Sequence, residues 1–133
     1  ADETTQEKMA QFGWKLGLAY QVWDDWLGIW GDQRNTGKSA RTDLLTGKKT
    51  YPVLYALQKD QAFAAFWKQT KISPVNVERA VLCLEQDGAR EHTETIVKSL
   101  TAEAMEILAA FSWSNPASQA IHELVGRLLG RIS

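Results

Sequence analysis

Residues 9–30 read MAQFGWKLGLAYQVWDDWLGIW, and the spacing of the apolar residues in this stretch predicts a long α-helix. A helix turns about 100° per residue, so apolar residues three and four positions apart fall on one side of it. The pattern extends from about residue 4 to residue 31. The residues that recur at this spacing are Met9, Phe12, Leu16, Ala19, Tyr20, Trp23, Leu27 and Trp30.

Apolar residues at the same spacing predict four further helices downstream. Pro52 suits the first turn of a helix, where its missing N–H costs nothing, and Ser73 before Pro74 predicts an N-cap. No segment alternates apolar and polar residues with the period of two that is typical of a strand, so the predicted fold class is all-α. The predicted spans are 52–69 with a break near 59–60, 74–87 with Val77, Val81, Leu82 and Leu84 buried, 89–111, and 116–128.

Composition and charge limit the classes of function. The chain has 133 residues, of which 44% are hydrophobic, which is enough for a single helical domain over residues 1–133. The net charge of −1 gives no electrostatic basis for binding nucleic acid or an anionic membrane, and no apolar run has the ~18 residues of a membrane span. The single cysteine, Cys83, excludes an intramolecular disulfide and favours a reducing, cytoplasmic location.

Two adjacent aspartates, Asp24 and Asp25, stand in the most aromatic part of the first helix. On a helix, Gln21, Asp25, Gly28 and Asp32 fall close to one line, with Asp24 beside it. Carboxylates this close repel one another, so we expect a cation to offset them. Mg²⁺ is commonly held by one or two carboxylates, with water and substrate phosphates completing its shell. An adjacent aspartate pair is also typical of an ordinary solvated helix face.

The segment that follows, GDQRNTGKSARTDLLTGKKTY at residues 31–51, predicts a loop. It holds three glycines and five basic residues and has no apolar period. Lys38, Arg41, Lys48 and Lys49 carry charges that suit phosphate oxygens. A lysine-rich loop alone is most often only a solvated surface. Carboxylates that can bind a metal, followed by basic side chains that can bind phosphate, however, indicate a diphosphate site.

The stretches FGWKLGLAYQVWDDWLGIWGD and TGKSARTDLLTGKKTYPVLYAL together resemble the C-terminal active-site half of the trans-isoprenyl diphosphate synthase, or polyprenyl synthetase, family. The ordered series of Gln, Asp-Asp, Gly-Asp, Thr-Gly-Lys, Asp-Leu, Lys-Lys and Pro carries the resemblance from Phe12 to Leu57. The resemblance implies the C-terminal portion of the helical isoprenoid synthase bundle. It also implies a Mg²⁺-dependent transferase of isoprenoid biosynthesis that condenses an allylic prenyl diphosphate with isopentenyl diphosphate.

The resemblance assigns roles by position. Asp24 and Asp25 match the first two acids of the family's second aspartate-rich motif, which implies that they ligate or orient Mg²⁺. Gln21 matches a glutamine near the reacting prenyl unit, and Lys38 matches a lysine that contacts the allylic diphosphate. Gly28 stands where the motif commonly has a third acid.

Other positions match less specifically. Lys48 and Lys49 both cover the family's second loop lysine, and either can be the match. The resemblance implies supporting roles behind the ligands for Asp32 and Asp43, with Asp43 anchoring the loop. Aromatic ring faces can stabilise an allylic cation. Tyr20 and Trp23 are candidates for this role, although aromatic residues at helical spacing are more often core.

Several hypotheses stay open at this point. The family's first aspartate-rich motif does not occur in the chain, so we expect a truncated part of a longer enzyme, inactive alone, that forms a homo-oligomer or pairs with a missing N-terminal half. One alternative is a non-catalytic subunit or helical interaction module that completes a bundle with a partner chain. Others are a part of a class I terpene cyclase-like enzyme and a purely structural helical domain. His92 and His122 are interpreted as ordinary helix-surface residues.

Overall fold

The computed structural model describes residues 3–31 and 41–110, together with residues 120, 123, 124, 126 and 127. No strand occurs in this part of the chain, which confirms the all-α fold class. None of the described helices is both long enough and apolar enough to cross a membrane. The helices are α1 (Glu3–Trp30), α2 (Thr42–Leu45), α3 (Tyr51–Lys59), α4 (Ala62–Gln69), α5 (Val77–Gln86) and α6 (Ala89–Ala109).

The predicted boundaries are largely confirmed. Helix α1 matches its predicted span. The predicted break appears at Asp60, which has left-handed backbone torsions (φ 54°) and ends α3. Asp87 and Gly88 end α5, with Gly88 at φ 83°, a conformation that favours glycine. Most of the last predicted helix lies outside the described residues.

Three details of the prediction were wrong. The segment 31–51 is not all loop, because Thr42–Leu45 forms a helix of four residues, too short to show an apolar period. Helix α5 begins at Val77 and not after Ser73. The side chain of Asn76 accepts the Ser73 N–H at 2.8 Å and shapes a turn there. Leu82, predicted to be buried, is 62% exposed.

The chain divides into two compact units, residues 1–20 with 97–133 and residues 21–96. In the first unit, Phe12 packs with Ala104 and Leu108 in a small apolar cluster. An ion pair of 2.7 Å between Lys15 and Glu103 lies on the surface of this unit.

The second unit contains the larger core. Helices α3, α4 and α5 pack against one another, and the second half of α1 and helix α2 add Ile29 and Leu44 to the same cluster. Each large side chain buried in this way stabilises the fold by roughly 1.5–3 kcal/mol. Asp87 accepts the Phe63 N–H at 2.8 Å and joins the end of α5 to the start of α4. The buried members are Ile29, Leu44, Val53, Ala56, Phe63, Val77, Ala80, Val81, Leu84 and Ala89.

Candidate functional site

The candidate site lies in the second unit, where α1 meets the first turn of α3. Asp25 is only 8% exposed, and its Oδ2 atom accepts the backbone N–H of Tyr51 at 3.0 Å. The first N–H groups of a helix have no partner within the helix. Thr50, at the N-cap of α3, makes no side-chain capping bond, so Asp25 from α1 serves as the acceptor.

The surroundings of Asp25 act on its ionisation in both directions. Burial raises the pKa of Asp25 most strongly, and the nearby charges of Asp43 and Asp24 raise it further. The hydrogen bond from Tyr51 and the charge of Lys48 lower this pKa but do not offset the burial. The anionic form of Asp25 is therefore held at a free-energy cost, which a nearby cation would reduce.

The two adjacent aspartates differ in exposure. Asp24 is exposed, whereas Asp25 faces the start of α3. Gln21 is also exposed on α1. One carboxylate is therefore fixed by the fold, and the other is open to a ligand.

Asp43 brings a third carboxylate to this side of α1. Its side chain lies against Gly28, where a Cβ atom would come within 2.6 Å of the Asp43 carboxyl carbon. A side chain at position 28 would therefore require the Asp43 carboxylate to move. Asp43 stands in the short helix α2, within the segment that was predicted to be a loop.

Arg41 fixes the start of α2. Its backbone is left-handed (φ 75°), and its guanidinium donates to the carbonyl oxygen of Ile29 near the end of α1. The same guanidinium contacts both carboxylate oxygens of Glu78, at 2.9 and 3.2 Å, which lowers the pKa of Glu78. Arg41 thus connects α1, α2 and α5 two residues before Asp43.

Lys48 and Lys49 precede α3, and both are exposed. Only Lys48 acts on the pKa of Asp25 among these two residues. Next to them, the Thr50 hydroxyl is buried and lacks a hydrogen-bond partner among the described residues. We therefore expect Lys48, rather than Lys49, to act together with the acids.

The interpretation of His92 as an ordinary surface residue was wrong. His92 is half-buried, and its ring stacks on Tyr55 with 3.9 Å between ring centroids and 8° between planes. Its Nε2 atom shares a hydrogen bond of 3.0 Å with the hydroxyl of Tyr51. Tyr51 and Tyr55 are four residues apart on α3, a spacing that could have suggested a common partner.

Three tryptophans in the second half of α1 pack in a row. Trp23 stacks on Trp26 with 4.4 Å between ring centroids, and the Trp30 ring follows at 6.0 Å. The guanidinium of Arg90 lies 5.5 Å from the Trp26 ring and 5.7 Å from the Trp30 ring. These contacts favour the interpretation of Trp23 as a packing residue over a role in stabilising an allylic cation.

Asp32, Lys38 and His122 lie outside the described residues. Tyr20 belongs to the first unit, where its side chain is 46% exposed.

The donor set fits a magnesium ion that shares its shell with a ligand. Among the described residues, no group of three or more His, Cys, Asp or Glu side chains forms a complete metal cage. Mg²⁺ does not need one, because one or two carboxylates suffice when water and phosphate oxygens supply the rest. Asp24 and Asp25 would hold the ion, and the charge of Asp43 lies close to Asp25.

The chain matches the model of a known protein family over most of its length. The model of the polyprenyl synthetase family matches residues 1–84. Geranylfarnesyl diphosphate synthase of Aeropyrum pernix is 32% identical over 110 residues, which cover 82% of this chain and 35% of that protein. Geranylgeranyl diphosphate synthase of Mycobacterium tuberculosis is 37% identical over 93 residues, which cover 66% of this chain and 27% of that protein. The chain thus spans about a third of these relatives, 35% and 27%.

Solved structures show the same fold. The crystal structure of a polyprenyl synthetase from Streptomyces coelicolor A3(2) superposes with a TM-score of 0.81 at 30% identity, covering 95% of this chain and 40% of that one. A geranylgeranyl pyrophosphate synthase from Corynebacterium glutamicum, complexed with isoprenyl diphosphate and magnesium, gives a TM-score of 0.78 at 26% identity. This second match covers 91% of this chain and 36% of that one.

Proposed function

Because the chain belongs to the polyprenyl synthetase family, we propose that it is part of a Mg²⁺-dependent prenyltransferase that condenses an allylic diphosphate with isopentenyl diphosphate. The observation that carries this proposal is the position of Asp25 at the start of α3, where its carboxylate accepts the Tyr51 N–H and the charge of Lys48 lowers its pKa, next to the exposed Asp24. A metal–diphosphate complex needs both kinds of charge, because carboxylates bind the metal and ammonium groups bind phosphate oxygens.

Each side chain has a definite task under this proposal. Asp24 and Asp25 hold the metal, and Asp43 adds negative charge from α2. When bound, Mg²⁺ supplies Lewis-acid chemistry that draws electrons from the diphosphate and orients it. Lys48, with Lys38, stabilises the negative charge that develops on the departing diphosphate.

Three further roles rest on the resemblance. Gln21 lies near the reacting prenyl unit, Tyr20 contacts substrate, and Asp32 supports the ligands from behind. We further propose that this chain is inactive without the rest of the bundle, which is supplied by additional chain or by an oligomeric partner. A non-catalytic subunit and a part of a terpene cyclase-like enzyme are the alternatives. A cytoplasmic location remains a prediction that rests on the single cysteine.

The direct test is calorimetric titration of geranyl diphosphate into the chain, with and without Mg²⁺. We expect binding that requires the metal and is lost in the double variant Asp24→Asn/Asp25→Asn, because amides replace the charged metal ligands. Asp60→Asn is the matched control. It changes an exposed acid at the end of α3, where asparagine also tolerates the left-handed backbone.

The outcomes separate the hypotheses. Metal-dependent binding that the double variant loses supports the prenyltransferase. Binding that survives Asp24→Asn/Asp25→Asn contradicts the assigned metal ligands. Analysis of the products made by the complete protein then distinguishes chain elongation from cyclisation, and prenyl transfer by the isolated chain would contradict its inactivity.

A further inference from the structure

His92 is the one histidine in the described residues, and the proposed chemistry does not use it. Its ring lies on Tyr55 at 3.9 Å and shares a hydrogen bond of 3.0 Å with the Tyr51 hydroxyl. The Tyr51 and His92 rings are also nearly parallel, at 4°. His92 on α6 therefore holds two successive turns of α3 through their aromatic side chains.

Tyr51 connects this aromatic contact to the acidic site. Its side chain bonds His92, while its backbone N–H bonds the Asp25 carboxylate at 3.0 Å. Both groups belong to one residue in the first turn of α3, so a contact that holds the Tyr51 ring in place also restrains the backbone of that residue. The first turn of a helix frays most easily, because its N–H groups have no partners within the helix.

We propose that His92 is a positioning residue of the acidic site, which acts through Tyr51 to keep the backbone N–H of that residue on Asp25. The consequence of this positioning for metal binding rests on the proposed function. His92 touches neither a metal ligand nor a phosphate-binding lysine in the described structure. Its effect passes through one side chain and one amide.

Hydrogen exchange of the Tyr51 amide measures this positioning directly. The amide is protected from exchange as long as it donates its hydrogen bond to Asp25. Its exchange rate therefore reports this contact, and the measurement does not require an active enzyme. We expect Tyr51→Phe and His92→Phe each to accelerate this exchange about tenfold, which is the effect of weakening one hydrogen bond. Both variants keep an aromatic ring at the substituted position.

Two controls separate positioning from loss of structure. Tyr55→Phe removes a hydroxyl from the same helix but leaves the stacked ring and the Tyr51–His92 hydrogen bond in place, so Tyr51 exchange should not change. The amide of Leu84, which is fully buried in α5, reports global unfolding. Unchanged Tyr51 exchange in His92→Phe would overturn the proposal, and so would equal acceleration at Leu84.

A second measurement links the contact to the proposed chemistry. In the complete protein, the Mg²⁺ concentration that half-saturates geranyl diphosphate binding should rise about fivefold in Tyr51→Phe, because Asp25 is less well oriented. The double variant Tyr51→Phe/His92→Phe should match the single variants, since both substitutions break the same bond. If Asp25→Asn leaves the Mg²⁺ dependence unchanged, the proposed function fails, and the exchange rates alone still decide whether His92 positions Tyr51.

Discussion

The carboxylate of Asp43 occupies the space that a side chain at Gly28 would need. A Cβ at position 28 would approach the Asp43 carboxyl carbon to 2.6 Å, whereas carbon atoms in contact are ~3.5 Å or more apart. Gly28 stands where the related motif commonly has its third acid. In this chain α2 brings a carboxylate to the same side of α1 from a different position in the sequence.

An aspartate at position 28, where the family motif commonly has its third acid, should therefore destabilise the fold. We expect Gly28→Asp to destabilise the fold by about 2–3 kcal/mol, because it adds both an overlap and a repelling charge beside Asp43. Gly28→Ala should destabilise it by about 1 kcal/mol, since the overlap outweighs the better helix propensity of alanine. Urea unfolding measures both changes.

The background Asp43→Ala provides the control for this prediction. Without the Asp43 carboxylate, Gly28→Ala should become stabilising by up to about 1 kcal/mol, the propensity difference between alanine and glycine. If Gly28→Ala has the same effect in both backgrounds, the Asp43 contact does not determine the residue at position 28.

Asp25 should make stability depend on pH. Burial raises the pKa of Asp25 in the folded state above the ordinary value of 3.8, so the folded state binds this proton more tightly than the unfolded state. The resulting stabilisation is complete below pH 3.8 and is lost as the pH rises through the raised pKa of the folded protein. We therefore expect Asp25→Asn to be more stable than the parent at pH 7, with the difference closing below pH 3.8.

Unfolding in urea at several pH values tests this expectation. Asn at position 25 keeps an oxygen that can accept the Tyr51 N–H, so the variant removes mainly the charge. Asp24→Asn is the neighbouring control, and this exposed change should stay within about 0.5 kcal/mol at every pH. Lower stability of Asp25→Asn at pH 7 would mean that the hydrogen bond from Tyr51 and the charge of Lys48 stabilise the Asp25 carboxylate by more than burial destabilises it.

The sequence predicted elements that depend on local pattern and missed those that depend on distant partners. The period of α1 and the glycine after α5 are local, and both were found. The burial of Asp25 depends on the Tyr51 amide, 26 residues further along the chain, and no spacing within α1 indicates it. The surroundings of His92 depend in the same way on Tyr51 and Tyr55. Helix α2 is too short to have a period, so its contact with Gly28 was not predicted.

Arg41 offers a test of backbone strain against side-chain contact. Both Arg41→Ala and Arg41→Gly remove the bonds to Ile29 and Glu78. Only glycine adopts the left-handed backbone at this position without a penalty, so Arg41→Gly should be more stable than Arg41→Ala by about 1 kcal/mol. Equal stability of the two variants in urea would contradict a left-handed backbone at Arg41.

The two lysines before α3 should differ in function. The charge of Lys48 lowers the pKa of Asp25, and Lys49 is the next residue in the chain. We expect Lys48→Ala to raise the KM for the allylic diphosphate about tenfold in the complete protein, the loss of one charge-assisted contact. Lys49→Ala serves as the matched comparison and should change KM less than about threefold. The reverse order would identify Lys49 as the phosphate contact.

The stacked Trp23 and Trp26 rings give α1 an optical signature. Two indoles with 4.4 Å between centroids and 10° between planes are close enough for their electronic transitions to couple, and the circular dichroism that results depends on the angle between the two rings. Asp24 and Asp25 lie between these two residues in the chain. A rearrangement of this helix turn when a cation or diphosphate binds would therefore change the spectrum of the unlabelled protein.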